Sequence, residues 1–147
     1  MKSKQILKKP TQGYVIFSLL IMAYVSLIAL LSPRQIMEMM QINLENNDAI
    51  SSVRGVYGGL GLAITSILIY LLFNHPDWAF RFLVMYWGGH TLSRIITIVA
   101  DGELGNFGTY WLLIEGLFFI SGIAIFCIKK ILYKTEELID ILVNQYS

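Results

Sequence analysis

Charged residues are scarce in this chain, and apolar runs take their place. Of its 147 residues, 14% are Asp, Glu, Lys or Arg and 56% are hydrophobic, whereas about a quarter of the residues in soluble domains are charged. The apolar residues form four segments separated by short polar gaps, which leaves no room for a soluble catalytic domain. The sequence therefore predicts an integral membrane protein whose chemistry lies within a helical bundle or at its edge.

Cysteine and histidine are nearly absent. The single cysteine, Cys127, excludes an intramolecular disulfide and a CxxC redox pair, and we expect it to be a small buried residue. His90, Asp101 and Glu115 make at most a loose set of metal ligands, and the nearby arginines would repel a cation. We therefore expect no metal and no cofactor. Without a basic aromatic surface, we also expect no nucleic-acid partner.

The four apolar segments predict an all-α fold, a four-helix transmembrane bundle. Each is close to the ~20 residues that a helix needs to cross a bilayer. After the first segment, Ser32 and Pro33 resemble a helix start, and the methionines and isoleucines behind them predict a short amphipathic helix on the outer interface. The predicted parts are a basic head at 1–13, a transmembrane domain at 14–128 with spans at about 14–31, 53–73, 77–100 and 109–128, and a C-terminal amphipathic helix at 129–147.

Lysines flank the bundle at both ends of the chain. Four precede the first segment and three follow the fourth: Lys2, Lys4, Lys8, Lys9, Lys129, Lys130 and Lys134. Lysine and arginine are enriched on the cytoplasmic side of membrane proteins. We therefore predict that both termini face the cytoplasm, which an even number of spans requires.

Polar side chains follow one face of the third segment, although the segment is long enough to span a bilayer. His90, Arg94, Thr97 and Asp101 lie at i, i+4, i+7 and i+11, the spacing that lines one face of a helix. A charge at the centre of a span costs at least ~2.5–3.5 kcal/mol, so such residues face the protein interior and find partners. The stripe therefore predicts a polar surface opposite it.

Glu115 in the fourth segment is the acid that we expect to pair with Arg94. Arg94 lies seven residues before Asp101, and Glu115 lies six after Thr109. At a rise of ~1.5 Å per residue, both should lie about 9–10 Å below the outer edge of the bundle. We expect Asp101 and Arg54, near the outer end of the second segment, to form the mouth of the site.

Small residues form two rows along the second segment. The first row is Gly55, Gly59, Ala63 and Ser66, and the second is Gly58, Gly61 and Thr65. Rows of this kind let another helix approach closely in a membrane. A nucleotide-binding loop is not indicated, because no strand precedes the glycines and no Lys-Ser/Thr pair ends them.

Two motifs resemble those of a known family. The run Arg54-Gly-Val-Tyr-Gly-Gly in the second segment, and Ser93-Arg94 followed by Asp101-Gly102 in the third, resemble a bacterial four-helix membrane protein family of unknown function, similar in architecture to the DoxX-like proteins. The resemblance covers roughly Ser51 to Cys127, and Glu115 stands where such proteins carry an acid. It implies four helices around a shared charged cluster in a bacterial cytoplasmic membrane. It supplies no substrate.

Our leading hypothesis is a non-enzymatic binding protein, or an accessory subunit, with an outward-facing pocket between helices. The two arginines would hold the anionic or polar end of a lipid-like or small amphiphilic ligand, the two acids would orient it, and Tyr57 and Trp87 would contact its apolar body. The candidate ligand-binding residues are Arg54, Tyr57, Trp87, His90, Arg94, Asp101 and Glu115.

Three alternatives stay open. Glu115 and His90 could exchange protons in a small proton-coupled transporter, or serve as acid and base in an intramembrane isomerase or hydrolase. In the third reading, the ion network only fixes how the helices pack. A membrane lipid or amphiphile is the expected partner, with a second copy of the chain or another membrane protein as further candidates.

Overall fold

The computed structural model describes residues 8–145, which fold into helices without a strand in this range. The elements are α1 (Lys8–Leu31), α2 (Pro33–Met39), α3 (Asn47–Val53), a π-helical segment (Arg54–Gly59), α4 (Leu60–Asn74), α5 (Pro76–Ala100) and α6 (Asn106–Gln145). The chain runs from α3 through the π-helical segment into α4 without a break, which leaves five helical rods. The predicted all-α fold is confirmed.

The main core lies where α1 packs against α4 and α5. Its buried side chains include Val15 and Leu19 of α1, Leu68 of α4, and Phe80 and Leu83 of α5. Large apolar side chains also cover the outside of the long rods, among them Phe17, Leu20, Ile67, Tyr70, Met85, Leu117 and Ile120. A continuous apolar exterior of this kind marks a surface that contacts something other than water.

The second long rod begins earlier than predicted because a side chain caps it. Asn46 Oδ1 accepts a hydrogen bond of 2.8 Å from the backbone N–H of Ala49, so the helix starts at Asn47. The π-helical turn follows where Gly58 lies against α1, since a Cβ at Gly58 would lie 2.9 Å from the backbone of Leu30. Because a π turn holds more residues than an α turn, residues before it are rotated relative to those after it.

Only one of the two small-residue rows packs within the described chain. Gly58 and Gly61 lie against α1, where a Cβ would collide with Leu30 and with the Ser26 side chain. Gly55 of the other row is exposed and has open space around it. The close approach that the glycines predict is therefore used by the second row alone.

The short helix α2 folds back over the end of α1. Ile36 and Met37 form a small buried cluster with Ala29 and Leu44, and Arg34 Nη1 donates to the carbonyl of Leu44 at 2.9 Å. The predicted short amphipathic helix is therefore present, and its place on the outer interface stays a prediction.

At the other end of the bundle, a salt bridge joins α5 to α6. Lys129 Nζ lies 2.7 Å from Asp77 Oδ1 in the first turn of α5, and 5.0 Å from the centroid of the Phe80 ring. Residue 129 is therefore level with the start of α5. The part of α6 beyond it, residues 130–145, extends for about 24 Å at ~1.5 Å per residue.

Residues 129–145 are helical as predicted, but they continue α6, which runs unbroken from Asn106 to Gln145, and do not form a separate helix. Residues 123–147 contain no glycine or proline that would end the helix. Cys127 is exposed on α6 rather than buried. The head at 1–13 falls partly outside the described residues, and α1 already includes its last part.

Three rods are long and apolar enough to cross a membrane: Lys9–Leu31, Asn47–Asn74 and Asn106–Ile139. The predicted count of four is not matched, since α5 is absent from this group among the described residues. With 25 residues α5 is long enough, but Arg81, His90 and Arg94 lower its mean hydropathy. The same polar side chains that predict a site on α5 therefore make it less apolar than the other three rods.

Candidate functional site

A buried ion pair joins α5 to α6. Arg94 Nε donates to Glu115 Oε2 at 2.5 Å, and Arg94 Nη2 donates to Oε1 at 2.9 Å. The Glu115 side chain is 3% exposed and that of Arg94 is 21% exposed. Two parallel hydrogen bonds from a guanidinium to a carboxylate form the strongest ion-pair geometry in proteins. The predicted pairing of these two residues is present in the structure.

Close packing between α5 and α6 places the pair. A Cβ at Gly122 would lie 2.7 Å from Val84 Cγ2 and 2.9 Å from the Tyr14 hydroxyl, and a Cβ at Gly88 would lie 2.7 Å from Phe119. Glycines on both helices thus let the two backbones approach. Their contact sets the distance that the Arg94 and Glu115 side chains have to bridge.

His90 lies beside the ion pair, one helical turn before Arg94. Its Nδ1 is 3.9 Å from Glu115 Oε1, and its side chain is 46% exposed. The Tyr86 ring lies against it with a centroid distance of 4.6 Å. The carboxylate of Glu115 therefore lies between two side chains. The Arg94 guanidinium donates hydrogen bonds to it directly, and the His90 imidazole would need to move only slightly to form one.

A cavity of about 260 Å³ opens beside the ion pair, between α1, the second rod, α5 and α6. Four of the seven predicted site residues line it: Tyr57, Trp87, His90 and Glu115. Most of the other lining side chains are aliphatic or aromatic. The cavity is therefore an apolar space with a few polar groups, which is the usual composition of a small-molecule site.

Trp87 forms a fixed wall of this cavity. It is 3% exposed, and its indole N–H donates to Ser18 Oγ at 3.0 Å. The Phe118 ring stacks on it with a centroid distance of 4.8 Å. Since its polar atom is satisfied and its ring is packed, Trp87 offers a rigid apolar surface to the space beside it.

The structure does not bring Arg54 and Asp101 to the cavity beside Glu115, since neither residue lines it. Arg54 Nε donates to the carbonyl of Leu30 at 3.2 Å, and its side chain lines a different cavity, of about 570 Å³, together with Arg34 of α2. The Arg54 side chain therefore lies toward α2 and the end of α1, whereas Tyr57 lines the cavity beside Glu115.

Asp101 is the C-cap residue of α5 and does not line the cavity. It is exposed, its backbone N–H bonds to the carbonyl of Thr97 at 2.8 Å, and no ion pair of its side chain forms within residues 8–145. Gly102 follows with a φ of 106°, the left-handed conformation that closes a helix and that glycine adopts freely. The predicted end of the third helix is therefore confirmed.

Several lining residues carried no signal of a site in the sequence. The sequence predicts Trp111 as an interfacial aromatic residue, and Ser18 and Ser26 as residues of a helix-packing face. In the structure Trp111 and Ser26 line the cavity and Ser18 supports Trp87. The one available signal is that Trp111 lies four residues before Glu115 and shares its helix face.

The described residues contain no group of three or more His, Cys, Asp or Glu side chains that could hold a metal ion. The polar residues that line the cavity offer hydrogen bonding by Ser26, Tyr57, Tyr86 and His90, and ion pairing or proton exchange at Glu115.

The fold and the site together define an all-helical protein of membrane type, with a buried arginine–glutamate pair beside an apolar cavity. The model of the family DUF4345, a domain of unknown function, matches residues 10–126. The chain therefore belongs to this family. The match includes the first helix, which the predicted resemblance left out. Comparison with curated proteins and with solved structures gives no significant match.

Proposed function

We propose that the protein binds a lipid-like or small amphiphilic molecule in the cavity beside Glu115. The observation that carries the proposal is the cavity of about 260 Å³, whose lining is mostly apolar and includes the polar groups of Ser26, Tyr57, Tyr86, His90 and Glu115. Small-molecule sites combine an apolar lining with a few placed polar groups. The apolar part of the ligand lies against Trp87, and its polar end faces His90 and Tyr57.

The charges beside the cavity favour a neutral polar end. Arg94 and Glu115 neutralise each other, and the guanidinium of Arg54 is turned to another cavity. No arginine lines this cavity, so a neutral polar end replaces the predicted anionic end of the ligand. We infer a hydrogen-bonding group such as a hydroxyl, carbonyl or amide, because Tyr57 and His90 can each donate or accept a hydrogen bond.

Filling the cavity tests this proposal. Val56 and Ile67 are both exposed on the second rod, 59% and 60% respectively, but only Val56 lines the cavity. Native mass spectrometry of the purified protein with retained small molecules should show a bound species in the wild type and in Ile67→Trp. The same species should be lost in Val56→Trp. Equal retention or equal loss in the two variants would overturn the proposal.

We also propose that α5 crosses the membrane with the three apolar rods, and that both ends of the chain face the cytoplasm of a bacterial cell. Its 25 residues extend about 37 Å, longer than the ~30 Å hydrocarbon core. Arg94, which would be costly in lipid, is paired inside the bundle. Lys129 and Lys130 of α6, which lie beside the start of α5, support the orientation.

A proton-coupled transporter is the second candidate, supported by the 3.9 Å approach of His90 Nδ1 to Glu115 Oε1. A buried carboxylate next to an imidazole is a typical proton site in transporters. Proton flux in proteoliposomes that Glu115→Gln abolishes would favour this candidate over simple binding. Association of the chain with itself or with a membrane partner stays a prediction.

A further inference from the structure

A second cavity lies at the other end of α5, where α6 passes the first turn of α5. It has a volume of about 370 Å³. Four basic residues line it, Arg81, Lys129, Lys130 and Lys134, together with the acids Asp77 and Glu137. Four positive charges minus two negative ones leave a formal charge of +2 around a space of this size. The cavity therefore attracts anions.

Only one of the four basic groups is held by an acid. Lys129 is 14% exposed and forms the salt bridge with Asp77. Lys130 and Lys134 are exposed and form no hydrogen bond or ion pair within the described part of the chain. Arg81 lies 6.0 Å from the Trp78 ring centroid. Three cations are thus available to a ligand beside a fourth that is already neutralised.

The cavity lies at the level where the apolar part of α6 ends. The Lys129–Asp77 bridge places it beside the first turn of α5, and α6 continues past it as a charged, amphipathic helix. Phe126 and Tyr133 line it together with the cations. Cations next to aromatic rings at the edge of an apolar span occur at the headgroup level of a membrane.

We infer that this second cavity binds a phosphate group, carried by an anionic lipid or free in solution, through Arg81, Lys130 and Lys134. Basic pockets between membrane helices on the cytoplasmic side recognise anionic headgroups, and arginine suits phosphate because its planar fork donates two parallel hydrogen bonds. This site is separate from the cavity beside Glu115 and goes beyond the function proposed for it.

The test compares lysines that line the cavity with one that does not. The full-length protein in phosphatidylcholine nanodiscs containing phosphatidylglycerol is analysed for bound lipid by native mass spectrometry. Lys130→Gln/Lys134→Gln should reduce phosphatidylglycerol binding by about 25-fold, since each cation near a membrane surface contributes about fivefold. Lys9→Gln, an exposed lysine at the start of α1, should leave it unchanged. Lys130→Arg/Lys134→Arg should retain it.

A second arm identifies the source of the phosphate. Radiolabelled inorganic phosphate is offered to the protein in nanodiscs of phosphatidylcholine alone. Saturable binding that the double glutamine variant loses would assign the site to the free ion, and binding of phosphatidylglycerol alone would assign it to the lipid. An unchanged double variant in both arms overturns the inference. So does an equal loss with Lys9→Gln, because the attraction would then be a diffuse surface charge.

Discussion

At the scale of single residues, the ion pair between Arg94 and Glu115 decides what the site can be. Its carboxylate is almost fully buried, and both of its oxygens accept from one guanidinium. A buried pair gives little net stability when complete, but removing one partner leaves an uncompensated buried charge. The pair therefore adds little net stability, but it requires α5 and α6 to keep both partners together.

This constraint predicts an asymmetry between single and double substitutions. Arg94→Ala should lower the free energy of unfolding by about 3–5 kcal/mol, because Glu115 then stays buried without a partner. Arg94→Ala/Glu115→Ala should cost less than Arg94→Ala alone. Denaturant titration in detergent measures both, with Lys9→Ala as an exposed control expected within about 0.5 kcal/mol of the wild type. A double variant less stable than Arg94→Ala would contradict this account.

The contrast between Arg94 and Arg54 shows which residues a sequence can place. The Arg94–Glu115 pairing follows from counting residues along two regular helices, since a constant rise fixes their depth. Arg54 lies at the start of a π-helical turn that a regular period does not anticipate, and its side chain bonds to the carbonyl of Leu30, away from the cavity where the sequence places it. Gly58 in this turn lies against Leu30 of α1, a tertiary contact that the spacing of residues in the sequence does not reveal.

At the scale of helices, glycines hold α5 and α6 at the distance that the ion pair needs. Gly122 meets Val84 and Tyr14, and Gly88 meets Phe119. In a membrane, where lipid tails are as apolar as leucine, close backbone contact through small residues is a main source of helix association. The site therefore depends on residues that never touch it.

Gly122→Ala tests this dependence, with Gly116→Ala as its matched control on the same helix. A Cβ at Gly122 would lie 2.7 Å from Val84, whereas nothing lies within 4 Å of one at Gly116. Overpacking should make Gly122→Ala less stable by about 1–3 kcal/mol. Gly116→Ala should be neutral or up to about 1 kcal/mol more stable, because alanine favours helix. Unfolding midpoints measured in one detergent compare the two variants, and equal midpoints would refute the packing argument.

Helix boundaries were harder to predict from sequence than helix faces. The end of α5 was predicted correctly because Asp101-Gly102 carries a local signal, and Gly102 has the positive φ expected of it. The end of α6 was not, because its lysines suggested a membrane boundary, and a boundary between lipid and water does not interrupt a helix that has no glycine or proline there. Composition predicts where a span ends, and only backbone-breaking residues predict where a helix ends.

At the scale of the whole molecule, the exterior is as apolar as the core, and a few polar groups are buried inside the bundle. Glu115, Ser18 and Ser26 are buried, while Phe17, Ile67 and Met85 are exposed. Hydropathy alone selects three rods, because it averages over the polar stripe of α5. Which side of a helix carries its charges matters more for membrane insertion than its mean hydropathy, since a charge that is paired inside the bundle is not exposed to lipid.

Cysteine labelling distinguishes four crossings from three. In a background with Cys127→Ser, single cysteines replace Asn46, His75 and Glu103, which lie in the connections between successive rods. If α5 crosses, Asn46→Cys and Glu103→Cys should react with an impermeant maleimide in intact cells, and His75→Cys should react only after permeabilisation. If α5 does not cross, His75→Cys and Glu103→Cys must show the same accessibility. That result would remove the membrane depth assigned to the Arg94–Glu115 pair, because α5 would then lie on one side of the bilayer.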